Sequence, residues 1–130
     1  MAKKTLPALS PSETEILRIL WQLERGTVQD ICDRLPANRN IVYTTVQTLL
    51  RRLETKKYIR HESKGKAHVF FPVASRKDVI SRTVGDFVDR LFGGDPLPLI
   101  LHLAEDVELK DEEIKRLQAL IRKPSPKKRR

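Results

Sequence analysis

The chain has a single cysteine, Cys32, among its 130 residues. It can build neither an intrachain disulfide nor a four-cysteine zinc site, so Cys32 reads as a small hydrophobe on a helix. Aromatic residues are also scarce, at 5%. No apolar run approaches the ~20 residues that a membrane-spanning helix needs, and Met1 to Ser10 has no stretch resembling a secretion leader. The expected location is therefore the cytoplasm, with no stable membrane association. There is no glycine-rich phosphate loop, and no spacing of Ser, His and Asp pairs a nucleophile with its base. These gaps argue against an enzyme and against a bound cofactor. The length suits one domain, or one compact domain with a smaller appendage.

Positive charge is plentiful but uneven. The formal net charge is +9. Residues 1 to 73 hold 13 Lys and Arg against 7 Asp and Glu, residues 74 to 122 hold 8 against 10, and residues 123 to 130 hold 5 against none. A basic first half beside a mildly acidic second half suggests a polyanion-binding module joined to a part with another task.

Periodicity divides the chain in the same places. Ser10-Pro11-Ser12-Glu13 reads as a capped helix start, with Ile16, Leu17, Leu20, Trp21 and Leu23 at helical spacing behind it and Gly26 as the stop. Thr27 can cap a short second helix, Val28 to Leu35, which Pro36 ends. A third helix is expected from about Asn40 to Thr55, with Val42, Val46, Leu49, Leu50 and Leu53 facing a core. Two short strands then flank Lys64-Gly65-Lys66 as a basic-tipped hairpin. Phe70 and Phe71 point to opposite faces of their strand, and the sequence leaves open which one enters the core.

Beyond residue 73 the pattern is helical. Ser75 caps a helix carrying Val84, Phe87, Val88, Leu91 and Phe92 that ends at Gly93-Gly94. A second helix contains Leu99 and Leu103, and a third, from about Asp111, carries Leu117 and Ile121. Three helices in under 50 residues cannot easily bury their own apolar faces, so pairing with a second copy is the simplest expectation. Lys110 is a poor cap for the last of them and should cost about 1 kcal/mol relative to serine. Residues 123 to 130 read as a disordered basic tail.

The fold class is therefore mainly α with a small β-hairpin: a winged helix-turn-helix domain over 1 to 73, then a three-helix dimerisation segment over 74 to 122. The third helix would be the reader. With its stripe inward, Asn40, Thr44, Gln47, Thr48 and Arg51 face outward, none of them acidic, and these side chains are of the types that meet base edges and phosphates in a major groove. A merely solvated face would favour Glu, Lys, Gln and Ala over threonine. Arg52, Lys56, Lys57 and Arg60 extend the basic surface, and Lys64 and Lys66 at the hairpin tip can meet the DNA backbone. The same fold can also dock protein or RNA.

Three stretches carry a more specific signal: Leu-Ser-Pro-Ser-Glu-Thr-Glu-Ile-Leu-Arg-Ile-Leu-Trp (9 to 21), Val-Tyr-Thr-Thr-Val-Gln-Thr-Leu-Leu-Arg-Arg-Leu (42 to 53) and Asp-Arg-Leu-Phe-Gly-Gly (89 to 94). From Leu9 to about Ile121 the sequence resembles the penicillinase repressor family. The resemblance implies a homodimer with intertwined C-terminal helices that blocks transcription from a palindromic operator in double-stranded DNA. It also implies a membrane-bound metalloprotease sensor that releases the repressor by cutting an Asn-Phe bond. The equivalent bond here is His102-Leu103, where neither residue matches. Copper-responsive relatives carry a C-terminal cysteine cluster, which this chain lacks. As for metals, His61 and His68 would oppose each other if Lys64-Gly65 formed a two-residue loop, whereas a longer loop would break that register. Two histidines without a third ligand make a poor site, and no metal is expected.

Overall fold

The computed structural model describes residues 6 to 122, and the tail expected over 123 to 130 lies outside them. Its elements run in the order α1 (Pro11–Leu23), α2 (Val28–Arg34), a 3₁₀ turn (Ala37–Arg39), α3 (Tyr43–Thr55), β1 (Ile59–Lys64), β2 (Ala67–Pro72), α4 (Arg76–Phe92), α5 (Leu97–Asp106) and α6 (Asp111–Arg122). Contacts divide the chain into two compact units, Met1–Thr83 and Val84–Arg130. The boundary lies inside α4, whereas the sequence pattern changes at the end of β2.

The first unit starts from its caps. Ser10 Oγ accepts from the Glu13 N–H and the Glu13 carboxylate accepts from the Ser10 N–H, at 3.1 and 2.9 Å. Thr27 and Asp30 repeat this reciprocal arrangement at α2. Each pair satisfies two backbone donors that the helix itself leaves unbonded. Ile16, Leu17 and Leu20 of α1, Ile31 of α2, Val46, Leu50 and Leu53 of α3, and Ile59 of β1 are fully buried together. Val79, in the first turns of α4, belongs to the same core.

Two part-buried hydrogen bonds tie distant segments of this unit together. Trp21 Nε1 donates to the Ala74 carbonyl at 3.0 Å, and the Tyr58 hydroxyl donates to the Pro7 carbonyl. Glu13 is only 2% exposed, and its carboxylate receives Lys56 Nζ at 2.6 Å. Burial alone would push its pKa up. The Lys56 hydrogen bond, the Ser10 N–H and the charges of Lys56 and Arg52 outweigh that effect and hold it below the ordinary value.

The hairpin joins the body through Gly26. Its N–H donates to the Phe70 carbonyl at 2.9 Å and its carbonyl accepts from the Phe70 N–H at 2.8 Å, which adds a one-residue bridge to the β1-β2 pair. A Cβ at Gly26 would come within 3.2 Å of both the Asp30 Cβ and the Leu23 Cδ1, so any larger residue would have to push these two side chains back by a few tenths of an ångström. Gly26 thus serves the hairpin rather than the end of α1, where Glu24 takes the positive φ of 73°. Phe70 is the phenylalanine packed on the core. Phe71 lies on the other face, under the Arg25 guanidinium at 5.3 Å.

Two expectations need correction. First, α3 begins at Tyr43. Asn40 closes the preceding turn in the left-handed region at φ 56°, a conformation asparagine tolerates, and so stands off the helix. Second, Val42 is extended and 58% exposed, while Ile41 takes the place against the core that the helical pattern had given to Val42. The hairpin loop, which the sequence left open, is Gly65-Lys66, because Lys64 pairs with Ala67. His61 is therefore opposite Phe70 and His68 opposite Ser63. The histidines still meet diagonally, with ring centroids 4.5 Å apart.

The second unit is a different kind of object. The expected Ser75 cap on α4, through the Asp78 N–H at 3.0 Å, still belongs to the first unit. At α6 the Glu113 carboxylate accepts the Lys110 N–H at 2.9 Å, which supplies half of the missing cap. Among the described apolar residues of this unit only Val88 is buried, and no residue of α5 is. Phe87 and Phe92 stack edge to face at 5.9 Å.

Candidate nucleic-acid interface

Helix α3 lies on the core through Val46, Leu49, Leu50 and Leu53, and this fixes what it shows to solvent. At 100° per residue, Thr44, Thr48 and Arg51 point directly away from that stripe, with Gln47 and Tyr43 on the flank beside the hairpin. Thr44, Gln47, Thr48 and Arg51 are all exposed. The Thr48 hydroxyl donates to the Thr44 carbonyl at 3.0 Å, which holds it in one rotamer and leaves its lone pairs free to accept.

A groove of about 350 Å³ separates α3 from the hairpin, lined in part by Tyr43, Gln47, Arg51, Glu54, His61, Lys66 and His68. It brings together Gln47, Arg51 and Lys66 from the sequence-derived set. Among the described residues, Arg51, Arg60, Lys64 and Lys66 have no ion-pair partner, so their charge is available to a ligand. Lys56 is not available, because its ammonium is bound to Glu13 and to the Ala8 carbonyl at 2.8 Å. That removes it from the basic surface expected of it.

The remaining sequence-derived residues are more dispersed. Arg60 is exposed, but it pairs with Phe71 across the hairpin and so faces away from His61 and the groove. Lys64 is exposed at the end of β1, and Asn40 precedes the helix. His61 Nδ1 sits 2.7 Å from the carboxylate of Glu54, the acidic side chain that lines the groove. Among the described residues, no group of three or more His, Cys, Asp or Glu is placed to hold a metal ion. Sequence reasoning missed Tyr43, which lines the groove and is 46% exposed. Reading Asn40 as a turn residue would have placed the helix start correctly and exposed it.

In the second unit, Val84, Phe87, Leu91, Leu103, Leu117 and Ile121 are exposed, Phe92 and Leu99 are half-buried, and Val88 is covered by its own chain. His102 Nε2 meets the Asp106 carboxylate at 3.0 Å one helical turn on. No described helix is long and apolar enough to cross a membrane.

A core-mounted helix with a free polar and basic face, flanked by a basic-tipped hairpin, defines a winged helix-turn-helix protein of the DNA-binding class. The sequence profile described as "Penicillinase repressor" matches residues 9–123. The chain therefore belongs to the penicillinase repressor family, whose members are repressors and not enzymes. It is 25% identical to the penicillinase repressor of Bacillus licheniformis over 118 residues, covering 91% of this chain and 92% of the relative. It is likewise 25% identical to the penicillinase repressor of Staphylococcus aureus, over 98% of this chain and all of the relative. Among solved structures, the DNA-binding domain of the repressor BlaI superposes with a TM-score of 0.51 at 25% identity, over 58% of this chain and 93% of that domain.

Proposed function

We propose that this DNA-binding repressor acts as a homodimer on a palindromic operator, with residues 1 to 73 gripping DNA and residues 74 to 122 pairing the two copies. The observation that carries the reading is the α3 surface. Thr44, Gln47, Thr48 and Arg51 are solvent-facing on a helix whose opposite side is locked to the core, and the unpaired Arg51 and Lys66 flank one groove. In a major groove, arginine can take guanine O6 and N7 while amide and hydroxyl groups meet neighbouring edges. Asn40 lies just ahead of the helix end that usually meets bases, and Arg60, Lys64 and Lys66 supply backbone contacts. Twofold symmetry then sets the half-sites a helical turn of ~10 bp, or a multiple, apart.

A band shift of genomic fragments against excess polyanion tests this, because a sequence-specific repressor survives the competitor on a few fragments. On those fragments Arg51→Ala should weaken binding by about 1 to 3 kcal/mol, while Lys66→Ala should weaken binding to every sequence alike and reduce the salt slope by about 1. Equal losses from both variants on all DNA would contradict the division of roles.

For release, the family resemblance points to a membrane-bound metalloprotease sensor that cuts His102-Leu103. That bond lies in the middle of α5, where nothing is buried, and proteases take extended substrates. A cut there needs α5 to open, so loosening the helix with Ala104→Gly, which costs about 1 kcal/mol in a helix, should speed cleavage by the cognate sensor.

A further inference from the structure

The chain has two tyrosines, and they are held in opposite ways. Tyr58 is 6% exposed with its hydroxyl bonded to the Pro7 carbonyl, as a core tyrosine should be. Tyr43 is the first residue of α3 and is 46% exposed, and among the described residues its hydroxyl has no hydrogen-bond partner. It lines the α3-hairpin groove together with Gln47 and Arg51, four and eight residues further along the same flank. A half-exposed aromatic ring that belongs to no buried cluster stands at the end of the proposed reading helix, in line with an amide and an arginine.

From this we infer that Tyr43 is a specificity-determining residue that reads a thymine by packing its ring against the C5-methyl group. The inference rests on the proposed operator reading. The thymine methyl is the one apolar mark that a base pair shows in the major groove, and an amide or guanidinium cannot read it. The N-terminal residues of a reading helix are those that reach base edges. Tyr43 is thus suited to a step beside the base pair met by Gln47, and it widens the readout from hydrogen-bond pattern to shape. The ring provides the contact, so the hydroxyl is dispensable for the choice of base.

The test replaces each thymine of the recovered operator in turn by deoxyuridine, which keeps every hydrogen-bonding group and lacks only the methyl. The full-length protein should lose affinity about fourfold per half-site at one thymine position, the value of one buried methyl, and about fifteenfold when both half-sites are changed. Tyr43→Ala should bind the thymine and deoxyuridine operators equally, and Tyr43→Phe should keep the wild-type discrimination. Helical circular dichroism of Tyr43→Ala should match wild type, because the side chain is outside the core. Insensitivity of the wild type to every exchange would overturn the inference, as would discrimination that persists undiminished in Tyr43→Ala. Failure to bind any fragment selectively in the first place would instead overturn the operator reading itself.

Discussion

Lys56 and Lys66 are the same residue type in one basic half of the chain, yet they are committed to different tasks. Lys56 spends its charge on a carboxylate that is 2% exposed, so Lys56→Met should leave that charge buried alone and cost about 2 to 3 kcal/mol of stability in urea unfolding. The salt dependence of DNA binding should not change in that variant. Glu13 also makes a pH prediction. Its folded pKa is below the 4.5 of the free side chain, so the unfolded chain takes up its proton first as pH falls. The stabilisation is complete above about pH 5 and fades as pH drops through 4.5 and below. Glu13→Gln should therefore flatten the acid limb of the stability profile, and an unchanged limb would refute the role given to this pair. The sequence showed Glu13 only as a capping residue. Its second partner is 43 positions away, and no local pattern encodes such a pairing.

At the scale of elements, α1, α2, α3 and the hairpin were legible because each follows a local rule: a cap, an apolar period or a glycine turn. The boundaries were less legible. Val42 continues the period of α3 on paper, but the left-handed Asn40 and the extended backbone at Val42 delay the helix to Tyr43 and turn the valine outward. Of the reading set, Thr44, Gln47, Thr48 and Arg51 followed from rotation about a helix axis, whereas Arg60 depends on which face of β1 turns toward α3. The histidine register stayed open for a similar reason, because Lys64-Gly65 and Gly65-Lys66 are equally good turns in composition. Gly65 takes φ 63° as the first residue of the loop, the arrangement of a type II′ turn, with no atom near its missing Cβ. Gly65→Ala should therefore act through backbone strain alone, costing about 1 to 2 kcal/mol locally. Amide hydrogen exchange should quicken in β1 and β2 while α1 and α3 keep their protection.

At the scale of the whole molecule, the first unit closes over a core and the second does not. Leu91, Leu120 and Ile121 are each more than 60% exposed, an arrangement that one copy does not explain. Leu91→Glu combined with Leu117→Glu should reduce the mass in sedimentation equilibrium to that of a single 15.0 kDa chain and weaken operator binding far more than half-site binding. A dimer that survives both changes would place the interface elsewhere. The surplus of apolar residues was legible in the sequence and the structure leaves it exposed, but the geometry of the proposed pairing was not legible, since a one-chain pattern does not contain a second copy. The Gly26 bridge to Phe70 has a kinetic consequence for DNA binding. With the β-arm stitched to the α1-α2 corner by two hydrogen bonds, its angle to the reading helix is set before any encounter with DNA. Little conformational freedom is then lost on docking, and the speed of the search falls to diffusion and to the attraction of unpaired cations for phosphate.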